Sequence, residues 1–147
     1  MASFPPVEMI CDYLGITKEA IREPHDETIQ IPAKLLRLLL ELALANQPFD
    51  AEHYALVYPD VAKARADGQI SDLQSHYTAS GYFEGRYLGA SELDEEWYRQ
   101  QYPDLGKALP DSDALRRHFE SRGCREWRCP SEAALPLLKR WREVLVE

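Results

Sequence analysis

Residues 49–86 read FDAEHYALVYPDVAKARADGQISDLQSHYTASGYFEGR and residues 93–128 read LDEEWYRQQYPDLGKALPDSDALRRHFESRGCREWR, one pattern written twice. Asp50, Glu52, Tyr54, Tyr58, Pro59, Asp60, Lys63 and Ala64 return at Asp94, Glu96, Tyr98, Tyr102, Pro103, Asp104, Lys107 and Ala108, an offset of 44. His76, Tyr77, Gly81, Glu84 and Arg86 return at His118, Phe119, Gly123, Glu126 and Arg128, an offset of 42. The two missing residues fall between these blocks, so each copy is predicted to be two packed elements joined by a length-tolerant connection. A period of about 40 residues marks stacked supersecondary units, each unable to bury its apolar face alone.

The elements are predicted to be helices. Each copy opens on an aspartate, Asp50 or Asp94, able to accept a hydrogen bond from orphan backbone donors and to complement the helix dipole. Tyr54, Val57 or Tyr58, and Val61 follow at helical spacing, as do Trp97, Tyr98, Tyr102 and Leu105. Pro59 and Pro103 lack a donor and clash with the preceding turn, so a break at each Tyr-Pro step is expected, with a new short helix starting at the proline. Gly68 ends this part of the first copy; Pro110 and Asp111 end it in the second. The partner helices are expected over 71–80 and 112–122, closed by Gly81 and Gly123 in left-handed caps.

Ahead of the doublet, Val7, Ile10, Cys11 and Leu14 form one helical face with Gly15 as its C-cap, and Thr17 starts a short helix to about Arg22. Glu27–Ile31 (ETIQI) alternates like a lone strand, to be read as an extended linker or as a strand pairing with a second copy. Pro32 suits the first turn of a helix running to about Asn46. Its leucines, among them Leu36, Leu40 and Leu44, cover well over half the circumference and leave a polar stripe of Lys34, Arg37 and Glu41. Such a helix needs cover on two sides, so it is either the central helix under the repeats or also part of a subunit interface, and Leu36, Leu40 and Leu44 are the candidate homodimer interface. After the doublet, Ser131 is placed to cap an amphipathic helix with Leu137, Leu138, Trp141, Val144 and Leu145 on one face; Pro136 marks a later first turn. The chain is thus predicted to be all-α and a single domain over 1–147. It comprises an N-terminal helical segment (1–48) with one short extended stretch, two tandem helical-hairpin repeats (49–91 and 92–130) and a C-terminal amphipathic helix (131–147).

Charge narrows the partners. A net charge of -8 repels phosphate backbones and anionic headgroups, so neither nucleic acid nor a membrane surface is an expected partner. The apolar stretch from Ile31 to Ala45 carries Lys34, Arg37 and Glu41 and is too short for membrane insertion. The opening MASFPPVEMICDY shows no basic start followed by an apolar block, so a cytoplasmic protein is expected, with Cys11, Cys124 and Cys129 as free thiols.

No reactive constellation emerges. His118, Cys124 and Cys129 lie close in sequence but fit no familiar zinc spacing and lack a fourth ligand, so no metal and no cofactor are expected. His76 and His118 precede an aromatic on an inner helix and are expected to bond backbone or a carboxylate. Arg86 and Arg128 either clamp a ligand anion or anchor a turn through Asp60 and Asp104; the second reading is preferred. There is no glycine-rich phosphate loop and no Gly-x-Ser-x-Gly elbow, so no catalytic residue is assigned. Aromatic faces can stack on sugars or anchor protein interfaces. His53, Trp97 and Trp127 are the aromatics expected at the surface, and with Tyr98, Arg86 and Arg128 they make up the candidate contacts.

The repeated Phe-Asp-x-x-x-Tyr-x-x-x-Tyr-Pro-Asp-Val at 49–61 and His-Tyr-x-x-x-Gly-x-x-Glu-Gly-Arg at 76–86 resembles a short helical repeat found beside bacterial glycosyltransferases and other surface-polysaccharide proteins. The resemblance implies an accessory module rather than an enzyme. The second copy departs from it, with Trp127 in place of Gly85 and Cys124 in place of Tyr82. The expected function is a non-enzymatic interaction or regulatory module in surface-polysaccharide or glycoconjugate biosynthesis, partnered with a protein such as a glycosyltransferase. The alternatives are a saccharide-binding module using exposed aromatics and a small enzyme with an unrecognised site.

Overall fold

A computed structural model describes residues 4–25, 28–87 and 93–146. The all-α expectation holds: ten α-helices and no strand occur among the described residues. Where the sequence reads as a single domain, the chain falls into two compact units, Met1–Asn46 and Gln47–Glu147.

The first unit holds α1 (Val7–Leu14), α2 (Lys18–Arg22) and α3 (Ala33–Ala45). Gly15 closes α1 at φ 67, a conformation that costs a residue with a Cβ. The Thr17 hydroxyl accepts the Ala20 N–H at 3.4 Å and starts α2. Thr28–Ile31 forms no strand within the chain; Glu27 lies outside the described residues. Cys11 is the one buried apolar side chain among the described residues of this unit, and α3 buries none.

In the second unit the two sequence copies build matching elements. Asp50 caps α4 (Ala51–Val57) by accepting the His53 N–H at 2.9 Å, and Asp94 caps α7 (Glu95–Gln101) by accepting the Trp97 N–H at 3.0 Å. The chain breaks at Tyr58 (φ -120, ψ 82) and Tyr102 (φ -123, ψ 74). It re-enters helix at the prolines that open α5 (Pro59–Ala66) and α8 (Pro103–Ala108). Capped by Asp72 and Asp111, α6 (Leu73–His76) and α9 (Ser112–His118) are shorter than expected. Each passes into a wide turn, Tyr77–Gly81 or Phe119–Gly123, with five-residue bonds such as Tyr82 N–H to Tyr77 O and Cys124 N–H to Phe119 O, both 2.9 Å.

The glycines ending these turns correct a sequence expectation. Neither Gly81 nor Gly123 has a positive φ; among the described glycines that conformation belongs to Gly15, Gly68 and Gly85. What excludes a side chain is space. A Cβ on Gly123 would lie 2.6 Å from the Tyr98 hydroxyl, and one on Gly81 would meet the Tyr54 hydroxyl still closer.

The core follows the same correspondence. Tyr54, Val61, Leu73 and Tyr77 are buried in the first copy, and Tyr98, Leu105, Leu115 and Phe119 occupy the matching positions in the second. Removing such side chains from water contributes roughly 1.5 to 3 kcal/mol apiece. Ser131 makes no capping bond; a single tight turn (Glu132–Ala134) leads into α10 (Leu135–Leu145), whose first turn carries Pro136. No side chain of α10 is buried.

Candidate functional site

The arginines of the repeated motif are engaged by carboxylates of the same chain. Arg86 donates Nη1 and Nη2 to both carboxylate oxygens of Asp60, at 3.0 and 2.7 Å, and Nε to Glu84 at 2.9 Å. In the second copy Arg128 meets Asp104 at 3.3 and 3.1 Å and Glu126 at 2.8 Å. Each guanidinium also lies over a tyrosine, Arg86 5.0 Å from the Tyr58 ring centroid and Arg128 4.9 Å from that of Tyr102. The two tyrosine hydroxyls accept backbone N–H bonds, Tyr58 from Tyr87 at 2.8 Å and Tyr102 from Cys129 at 2.7 Å. Hydrogen bonds from the arginines hold the carboxyls of Asp60, Asp104 and Glu126 below their ordinary range. Both arginines are therefore turn anchors, the reading preferred from sequence.

The other candidate contacts separate. Tyr98 is fully buried and belongs to the core, as does its counterpart Tyr54, so it is corrected from contact to scaffold. Burial pushes both phenols up to about 12. His53 is not the open side chain expected: its Nε2 lies 2.6 Å from Glu120 Oε1, with the two side chains 18% and 12% exposed. Trp97 is half-buried against the core cluster of Tyr98, Leu105, Leu115 and Phe119, because its helix turns that face inward. In α3, Leu36 is open, whereas Leu40 and Leu44 are half-buried; Leu38 and Leu42 are the additional open leucines.

His76 and His118 are half-buried, and neither makes the expected bond to backbone or a carboxylate among the described residues. The Tyr54 hydroxyl is 3.4 Å from His76 Nδ1, whereas the Tyr98 hydroxyl and His118 Nδ1 are both buried without a hydrogen-bond partner among the described residues. Cys124 and Cys129 point their thiols at the carbonyls of Glu120 and Ser131, at 3.3 and 3.0 Å. Burial raises the pKa of both, favouring the thiol over the thiolate a metal would need.

Trp127 is the residue that stands apart. It sits at φ 57, where the first copy uses Gly85 at φ 79. A residue with a Cβ pays about 1–2 kcal/mol for that conformation, and a bulky one there is a true outlier. The half-buried Trp127 lines a trough of about 730 Å³, together with Tyr82, Tyr87, Phe119 and the Leu138 and Trp141 side chains of α10. A second groove of about 440 Å³ adjoins it through Gly85, Tyr87, Glu120 and Arg125, and extends to Arg117. The departure of Trp127 from the repeat is visible in sequence. The Arg117, Glu120 and Arg125 contribution is not, because nothing marks these residues until the two copies are juxtaposed.

No protein-family model, curated protein or solved structure matches the chain. No helix among the described residues is long and apolar enough to cross a membrane.

Proposed function

We propose that this chain is a non-enzymatic docking module, cytoplasmic and self-associating through α3, that serves surface-polysaccharide or glycoconjugate production by binding a protein of that pathway, such as a glycosyltransferase. One observation carries the docking reading: α3 and α10, thirteen and eleven residues long and both rich in leucine, bury no side chain. Leu36, Leu38 and Leu42 are 46%, 51% and 45% exposed, and Trp141 and Leu145 are 50% and 62% exposed. Apolar surface of this extent is a liability for an isolated chain and an asset for one that is covered in use. Meanwhile Arg86 and Arg128, Asp60 and Asp104, and the Tyr58 and Tyr102 hydroxyls of the repeated motif are consumed in holding turns, which suits a rigid scaffold. The pathway assignment rests on the resemblance of the repeated motif.

The test is affinity purification from the native host with the intact chain and with Leu36→Glu, alongside light scattering of the purified protein. A polysaccharide-pathway protein captured by the intact chain, and a dimer that becomes a monomer in Leu36→Glu, are the expected results. A monomer in the wild type removes the self-association. Turnover of an activated sugar by the purified chain removes the docking reading.

A further inference from the structure

We propose that the trough between α10 and the Trp127 turn is the docking groove for an apolar, acidic amphipathic helix of a partner protein; this rests on the docking reading above. The walls define the chemistry. On one side Leu138, Trp141 and Leu145 stand at i, i+3 and i+7 of α10, with Trp141 and Leu145 at least half exposed. On the other stands Trp127, held in a left-handed conformation that its counterpart satisfies with glycine. Strained backbone persists where the surrounding structure enforces it and concentrates at ligand sites. Tryptophan, tyrosine and arginine are also the residues in which interface binding energy concentrates.

Two facts select an acidic helix over a sugar. First, the charged groups of the lining are largely engaged within the chain: Arg86 holds Asp60, Arg128 holds Asp104, Glu120 lies against His53, and Arg125 donates to the Ser121 carbonyl at 3.1 Å. A saccharide, whose hydroxyls need a dense set of donors and acceptors, would find few there, whereas apolar side chains need none. Second, Arg125 in the trough and Arg117 in the adjoining groove have no carboxylate partner among the described residues. Two guanidinium groups outside any ion pair, beside a Glu120 carboxylate that is turned to His53, give this rim a local positive edge in a chain of net charge -8, and acidic side chains flanking an apolar helical stripe would complement it.

The probe is a fluorescein-labelled synthetic helix with leucines at i, i+3, i+4 and i+7 flanked by glutamates, compared by anisotropy with the same helix carrying lysines and with maltoheptaose as competitor. The glutamate helix should bind in the micromolar range, at least about tenfold tighter than the lysine helix. Trp127→Gly and Trp141→Ala should each weaken binding at least about tenfold, and Arg125→Glu should reverse the charge preference. Trp127→Gly installs the residue that the first copy uses at this φ and relieves its backbone cost, and Trp141→Ala alters an exposed position, so loss of binding in both without a fall in melting temperature separates contact from folding. Absence of glutamate-helix binding, equal affinity for the lysine helix, unchanged affinity in both tryptophan variants, or displacement by maltoheptaose overturns the proposal. If a pathway protein still co-purifies with both tryptophan variants, the groove assignment falls while the docking reading stands. If the glutamate helix binds as described and no pathway protein is ever captured, the groove stands and the pathway reading falls.

Discussion

The Tyr98 hydroxyl lies 2.6 Å from where a Cβ on Gly123 would stand, and the Tyr54 hydroxyl crowds Gly81 in the same way. The motif's tyrosine and glycine, 25 residues apart in the second copy, are thus one steric unit. The glycine is required because a phenol from another helix fills the place of its side chain.

Gly123→Ala should therefore destabilise the protein by about 1–3 kcal/mol, the range for overpacking a filled site. Tyr98→Phe removes an oxygen that is buried and unbonded among the described residues, so by itself it should be neutral or stabilising. Adding Tyr98→Phe to Gly123→Ala should recover most of the loss. Urea unfolding of the two single variants and the double variant measures the coupling, and strict additivity would refute the steric pairing.

His53 and Glu120 join the two copies across 67 residues of chain at 2.6 Å, in a site where both side chains are less than one-fifth exposed. His53→Ala leaves the Glu120 carboxylate without this bond and should cost roughly 1–3 kcal/mol. A double-mutant cycle with Glu120→Gln should show a coupling of about 0.5 kcal/mol or more.

Acid should loosen the Arg86 and Arg128 turns. Asp60 and Asp104 are held below their ordinary carboxyl range by hydrogen bonds from these arginines. A depressed folded pKa means that the stabilisation is complete above the unfolded value of about 4 and is lost as pH falls through the folded value. Melting temperature should drop on that acid limb, and Asp60→Asn with Asp104→Asn should flatten the dependence. Both partner carboxyls are largely exposed, so high salt should shrink the effect.

Alkali acts on the core phenols. Burial pushes Tyr54 and Tyr98 up to about 12, against about 10 in an unfolded chain. The neutral phenol is the favoured form in the fold, so its contribution is complete below pH of about 10 and disappears as pH rises through the folded value. The loss should be on the order of 2 kcal/mol for each phenol. Phenolate absorbance should show three tyrosines ionising late, together with unfolding, because burial also raises the Tyr77 phenol, and Tyr98→Phe should remove one of them.

The doublet, read as residues alone, determined much of this protein. It placed the helix starts at Asp50 and Asp94, the breaks at Tyr58 and Tyr102, the prolines that reopen helix and the arginines that find Asp60 and Asp104, because capping, proline geometry and charge pairing act within a few residues or repeat at a fixed offset. It did not show the burial of Tyr98 and half-burial of Trp97, since a mixed face of aromatic and charged side chains does not say which side turns inward. Nor did it disclose the contact of Glu120 with His53 or the purpose of Gly81 and Gly123. Those depend on which surfaces meet after folding: a hydroxyl from one helix against the backbone of another, an acid from one copy against an imidazole of the other. Three-dimensional packing alone decides such meetings, because the residues concerned carry no signal to one another along the chain.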